Sequence, residues 1–501
     1  MSKDDLQKTE TSTTPDKTDE PTNPNPAPVE EKQSITQHTL TIGGQEISYR
    51  ATAGTYVLKE DDGTAKASIF YVAYTRTDLG GDGGDAHPGD RPVTFSFNGG
   101  PGSSSVWMHL GMLGPRMAAM NADGTAPPPP YRPTDNPHSL LDVTDLVFID
   151  PVSTGYSRPA LGEEADQFHG VEKDVESVGE FIRLWTTREG RWTSPKYLIG
   201  ESYGTTRAAA LSGYLLDRHG MFLNGILLIS VVLNFQTLDF NPGNDLPFIL
   251  FLPTYTATAW YHNRLDPDLQ ADLRATLDQV ETFAAGEYAS ALFKGSALTA
   301  AERAQIVAQL ARFTGLPEDY IERTNLRVNI FRFVKELLRD RRVTVGRLDS
   351  RFTGADRDAA GERFEYDPSY AAIQGLYTAV LNDYLRRELD FENDMPYEIL
   401  SGLYEKWNYG KYANKYLNVA ETLRGAMTKN PHMQIFVANG YFDLATPYFA
   451  TEYTLNHLEI EPSLHDNIQM AYYPAGHMMY LLPASLAQIK QDMAAFITAQ
   501  D

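Results

Sequence analysis

The 501-residue chain contains no cysteine. That absence excludes disulfide staples, thiolate metal ligation and a cysteine nucleophile. Long apolar runs are lacking too: candidates such as GILLISVVL (residues 225–233) have strand or core-helix length, whereas a bilayer-spanning helix needs about 20 residues. The opening stretch MSKDDLQKTETSTTPDKTDEPTNPNPAPVEEKQ has neither an apolar h-region nor a small-residue cleavage site, so it does not read as a secretory signal. A cytoplasmic protein with no membrane partner is the expectation. Basic charge is in short supply, with 43 Lys and Arg against 66 Asp and Glu and a net charge of −23. Such a surface repels phosphate backbones, so nucleic acid is not an expected partner. Oligomeric state leaves no signature.

What is present is a globular composition, 42 % hydrophobic and 22 % charged, in a chain long enough for one large core with an insertion or for two to three domains. Residues 1–36 are rich in Pro, Thr, Asp, Glu and Lys and nearly empty of aromatics. That composition cannot bury enough surface to offset ordering entropy, and a disordered tail is expected. From residue 37 the segments HTLTIGGQEISYRATAGTYVLK and ASIFYVAYTR alternate as antiparallel strands do. The loop that follows holds Asp82, Asp85, His87 and Asp90. A cation site is conceivable there, but the bidentate Glu of a calcium loop is missing and a solvated hairpin loop is the better reading.

Short apolar runs then recur: VTFSFN (93–98), DLVFID (145–150), KYLIG (196–200), GILLISVV (225–232) and QIFVANG (434–440). Helical patterns lie between them, such as Val171, Val175, Val178, Ile182 and Trp185. Strands alternating with helices predict an α/β class, with a mostly parallel sheet covered on both faces. Residues 240–415 break the rhythm with helical stretches, and a mainly helical lid inserted between core segments 37–239 and 416–501 accounts for them.

Gly200, Ser202 and Gly204 form a G-x-S-x-G pattern between a strand run and the helix-forming TTRAAALSGYLL. In a nucleophile elbow, a sharp strand-to-helix turn exposes the serine and the glycines relieve crowding. The hydroxyl needs a base and an orienting acid, in the order Ser, Asp or Glu, His. Asp443 after QIFVANGYF and His477 after MAYYPAG stand at predicted strand ends in that order. His219, His262, His432, His457 and His465 fit less well. Oxyanion donors are expected from the N–H groups of Gly100, in NGGPGSSS (98–105), and Tyr203.

Together NGGPGSSS with LGP (113–115), LVFIDPVSTGYS (146–157), GESYG, NGYFD and AGHM resemble the serine carboxypeptidase family, peptidase family S10, whose fold is the α/β-hydrolase. NDLPFILFLPTYTATAWYH (244–262) looks like bacterial members in particular. The resemblance implies release of C-terminal residues from peptide substrates through an acyl-enzyme on Ser202, His477 and Asp443, with no metal or organic cofactor required. It also implies recognition of the substrate carboxylate by Asn98 and Glu201 together with a second glutamate before the LGP turn.

That second position is Met112. Ser96 stands where the family has tryptophan, Ser103 where it has cysteine, and Tyr441 where the first acid of its NGDxD motif lies. A lone Glu201 is expected to ionise more readily than one of a pair, weakening carboxypeptidase selectivity or moving the pH optimum toward neutral. Arg116 is a candidate replacement contact, although a surface arginine is the plainer reading. Tyr203 is a candidate lining residue of the specificity pocket. Two other readings compete: an aminopeptidase of the proline iminopeptidase type, in which ionised Glu201 attracts the substrate amine, and a non-catalytic hydrolase-fold binding protein, which should have lost a triad member.

Overall fold

The computed structural model describes residues 30–79 and 88–499. Asp82, Asp85 and His87 of the possible cation loop lie outside the described residues. The first strand, Gln33–Ile42, takes in residues 33–36, which composition had assigned to the tail. Its polar side chains alternate with half-buried ones, and main-chain pairing with the next strand holds it.

The central sheet runs in the order Gln33–Ile42, Gln45–Lys59, Ala65–Arg76, Asp145–Ile149, Val93–Phe97, Lys196–Ser202, Gly225–Val231, Gln434–Gly440, Ile468–Tyr473. The first three strands pair antiparallel, as their alternating sequences predict, and the last six are parallel. All five apolar runs named above are strands of this sheet. The parallel strands inside the sheet are buried on both faces, the edge strand Ile468–Tyr473 being mostly half-buried, and successive residues feed opposite cores. Leu146, Ile199 and Phe436 join one core; Val147, Leu198 and Val437 join the other. Helices Val171–Arg188, Tyr203–His219 and Ala420–Lys429 cover the second face, and Pro483–Thr498 covers the first. This is the α/β-hydrolase architecture.

The sequence order of the strands reverses around Val93–Phe97, which lies between Asp145–Ile149 and Lys196–Ser202. In open parallel sheets, ligands bind outside the carboxyl ends of the strands at such a point. The NGGPG turn leaves Val93–Phe97 there, Ser202 ends the adjacent strand, and Asp443 and His477 follow the last two strands at the same edge.

The helical insertion, from Leu246–Tyr261 to Pro368–Arg387, leaves after Gly225–Val231 and returns before Gln434–Gly440, its immediate neighbour in the sheet. It carries its own core, in which Phe251, Tyr255 and Phe333 pack with Phe442, Leu444 and Tyr448 from the loop around Asp443. Within it a short hairpin, Thr344–Val345 against Thr353–Gly354, turns through residues 346–352.

Candidate active site

Ser202 closes the strand Lys196–Ser202 and immediately precedes the helix Tyr203–His219, with φ 60° and ψ −129°. A non-glycine residue at positive φ is uncommon and costs strain, which the surroundings here enforce. A Cβ at Gly200 would collide with the Gly204 carbonyl, and one at Gly204 would lie 2.7 Å from the Phe97 carbonyl oxygen. Both glycines of the pattern are therefore required by close backbone approach. Ser202 itself is half-buried.

His477 and Asp443 are joined directly. The Nδ1 of His477 donates to Asp443 Oδ2 at 2.7 Å, with the two residues 4 % and 0 % exposed. Asp443 Oδ1 also accepts from the main-chain N–H groups of Ala445 (2.7 Å) and Thr446 (3.0 Å), and Oδ2 from the Thr446 hydroxyl (2.7 Å). Burial opposes a charged imidazole, but the Asp443 charge and hydrogen bond outweigh it and raise the His477 pKa above its ordinary value.

Ser230 ties this pair to the elbow. It sits in a bulge of Gly225–Val231, at φ 53°, between the residues paired with Glu201 and Ser202. Its hydroxyl donates to the His477 carbonyl at 2.6 Å. The only sequence signal for it was a hydroxyl inside an apolar run.

The N–H of Tyr203 is the first of the elbow helix, among those a helix leaves without an intrahelical acceptor. A Cβ at Gly99 would stand 2.5 Å from that nitrogen, so the NGGPG turn passes directly beside it. Gly100, next in the turn, is exposed with φ 102°. The Tyr203 side chain is 2 % exposed, and its hydroxyl accepts from the Trp407 indole at 3.1 Å. It packs in the core and does not line an open pocket, correcting that expectation. One turn on, Arg207 pairs bidentately with Asp174 (2.7 and 3.0 Å) and donates to the Asn98 carbonyl at 2.6 Å. This buried ion pair fixes the base of the NGGPG turn. Nothing in the apolar spacing of either helix announced it.

Asn98 and Glu201 meet. Asn98 Nδ2 donates to Glu201 Oε1 at 2.9 Å, and Asn98 Oδ1 accepts from Met108 N at 3.2 Å. The other carboxylate oxygen, Oε2, accepts from the Tyr480 hydroxyl at 2.6 Å. Glu201 is 4 % exposed, and burial pushes its pKa up to about 7 despite the His477 charge and those two donors. Removal from water therefore opposes ionisation of Glu201 even though the second acid of the family pattern is missing. Tyr480 was not singled out in the sequence, although it stands three residues after His477.

Met112 is buried in the core of the first sheet face, and its carbonyl accepts from Asn136. Arg116 pairs with Asp135 and Glu388 and carries no contact to Glu201. Ser103 accepts from the Trp107 indole at 3.0 Å, Ser96 is buried, and Tyr441 stacks on Tyr472. Among the described residues no group of three or more His, Asp or Glu is placed to hold a metal ion, and no helix is long and apolar enough to cross a membrane.

The family model for serine carboxypeptidases matches residues 44–479. Serine-type carboxypeptidase F of Aspergillus niger is 28 % identical over 128 residues, 25 % of this chain and 22 % of the relative. Serine carboxypeptidase-like 45 of Arabidopsis thaliana is 26 % identical over 194 residues, 36 % of each chain. These alignments thus span between about a fifth and a third of the relatives' lengths. Among solved structures, Kex1Δp, a prohormone-processing carboxypeptidase of Saccharomyces cerevisiae, superposes with a TM-score of 0.56 at 16 % identity, covering 90 % of this chain and 91 % of its own. That likeness concerns the fold. With the family model matched from the second strand to beyond His477, the chain belongs to the serine carboxypeptidase family.

Proposed function

We propose that the protein is a serine-type carboxypeptidase that releases C-terminal residues from peptides. The observation that carries this reading is the buried His477–Asp443 hydrogen bond at the sheet edge where Ser202 sits in its strained turn, in a chain of this family. The Ser202 Oγ attacks the carbonyl carbon of the last peptide bond while His477 Nε2 takes its proton. Asp443 holds Nδ1–H, which fixes the tautomer and stabilises the imidazolium. The N–H groups of Gly100 and Tyr203 receive the oxyanion. Collapse expels the C-terminal amino acid, whose nitrogen takes the proton back, and water then releases the acyl group by the same steps in reverse. Asn98 and Glu201 serve the substrate carboxylate. The likeness of residues 244–262 to bacterial members belongs to this reading as well.

The test compares an N-blocked dipeptide with an amino-acid anilide. Hydrolysis of the dipeptide, lost at least 10⁴-fold in Ser202→Ala, supports the proposal; hydrolysis of the anilide alone overturns it. The second reading, an aminopeptidase, is favoured by one observation, a single acid at the site whose pKa of about 7 leaves it charged in mild alkali. The same pair of substrates decides between them.

A further inference from the structure

Carboxylate recognition is the part of the site left incomplete. Both Glu201 oxygens already accept from Asn98 and Tyr480, and Asn98 Oδ1 is occupied by Met108 N. The nearby cations are also engaged: Arg207 by Asp174 and Arg351 by Asp349. Arg347 differs. It lies in the turn of the short hairpin of the insertion, half-buried. Its carbonyl accepts from Leu444 N at 3.1 Å, one residue past Asp443, and the carbonyl of Leu348 accepts from His477 N at 2.6 Å. The turn therefore touches both the acid loop and the base loop.

The nearest acid to the Arg347 main chain is spent elsewhere. Asp367 accepts from the main-chain N–H groups of Arg347 (3.1 Å), Leu348 (3.2 Å) and Ser369 (3.0 Å), clamping the turn to the start of Pro368–Arg387. Among the described residues no carboxylate pairs with the Arg347 guanidinium. The charge nevertheless reaches the site, since it disfavours the protonated form of His477. In a chain carrying 66 acidic residues against 43 basic ones, a half-buried arginine on the turn whose main chain holds both the acid loop and the base loop, with no carboxylate on its guanidinium among the described residues, is available to an incoming anion.

We propose that Arg347 is a specificity-determining residue that receives a carboxylate of the substrate, either the terminal α-carboxylate or an acidic side chain next to the scissile bond. A planar guanidinium fits a carboxylate bidentately, and it stays charged across the working pH range. The insertion thereby contributes directly to the site through a loop already fastened to the catalytic pair. The terminal-carboxylate form rests on the carboxypeptidase reading.

Two substrate ratios test this in wild type, Arg347→Gln and Arg347→Lys: an N-blocked apolar dipeptide against its C-terminal amide, and N-blocked dipeptides with Glu against Gln beside the scissile bond. A 10- to 100-fold fall of the first ratio in Arg347→Gln, read in KM and partly restored in Arg347→Lys, assigns the terminal carboxylate. The same fall confined to the second ratio assigns the side chain. Both ratios unmoved overturns the proposal. If Arg347→Gln does not fold, Arg347→Met is read in the same way.

Failure of the carboxypeptidase reading is separately visible, as wild type that cleaves no free-acid dipeptide. The proposal is then read from competition of an N-blocked amino acid with organophosphonate labelling of Ser202. Competition weakened tenfold or more in Arg347→Gln sustains it, and equal competition in both proteins overturns it.

Discussion

Two buried carboxylates, Asp443 and Glu201, stand at the carboxyl edge of the sheet, and the fold treats them oppositely. Asp443 accepts four hydrogen bonds, two from main-chain N–H groups of its own loop, one from Thr446 and one from His477. Glu201 accepts two, both from side chains, and burial lifts its pKa to about 7. The main chain fixes two of the donors around Asp443 and none of those around Glu201, whose burial brings its protonation change into the working range. The first holds the His477 ring by Nδ1; the second can answer to pH and to what binds beside it.

Asp443→Asn breaks the comparison most severely. An amide in the same cradle presents a donor to Nδ1 and favours the wrong imidazole tautomer, so kcat should fall by about 10³- to 10⁴-fold with little loss of fold. Steady-state rates and a thermal melt check both halves.

Glu201→Gln removes the titrating member. The Glu201 charge raises the His477 pKa, so the acidic limb of the kcat/KM profile should move to lower pH in the variant. Stability should respond with the opposite partner of the comparison left intact. A carboxyl whose folded pKa is raised from 4.5 to about 7 contributes stability that is complete below its unfolded pKa and lost as pH rises through the folded one, roughly 3 kcal/mol in all. Unfolding free energies between pH 4.5 and 8 should therefore fall in the wild type relative to Glu201→Gln. Parallel curves would mean that Glu201 does not ionise in this window.

Tyr480→Phe sharpens the same point with a smaller effect. It takes one of the two donors from Glu201, and since that hydrogen bond lowers the Glu201 pKa, the titration should move above pH 7. The pH dependence of KM for a free-acid dipeptide reports it, with changes of up to about tenfold expected for one hydrogen bond to a charged group.

The same contrast explains what could be read from the chain alone. The meeting of Asp443 and His477 was legible because their positions are set by strand ends and chain order, which apolar runs and glycines reveal. The parallel sheet, the elbow and the insertion were legible for the same reason. Tyr480 was not, because its contact with Glu201 joins positions 279 residues apart and a tyrosine near a histidine carries no periodic signal. The buried Asp174–Arg207 pair lay hidden inside helices whose apolar spacing says only that one face is covered. The pKa of Glu201 depends on burial, which counting acids along the sequence does not show.

Ser230 is where the two carboxylate regions meet, and it offers the smallest and cleanest perturbation. Its hydroxyl holds the carbonyl of His477, while the strand it bulges from pairs with Glu201 and Ser202. At φ 53°, replacement by alanine mixes loss of the hydroxyl with a backbone penalty, whereas glycine removes the hydroxyl and relieves the strain. For Ser230→Gly the lost hydrogen bond and the relieved backbone nearly cancel, so stability should change by less than about 1 kcal/mol. If the bond serves to place the imbalanced pair correctly against the serine, kcat should still fall about 3- to 10-fold with KM steady, because a small displacement of the base is felt in the transition state. Ser230→Thr, which keeps the hydroxyl, should recover part of kcat despite its branched side chain at positive φ. A glycine variant with unchanged kcat would confine the role of Ser230 to the shape of the sheet edge.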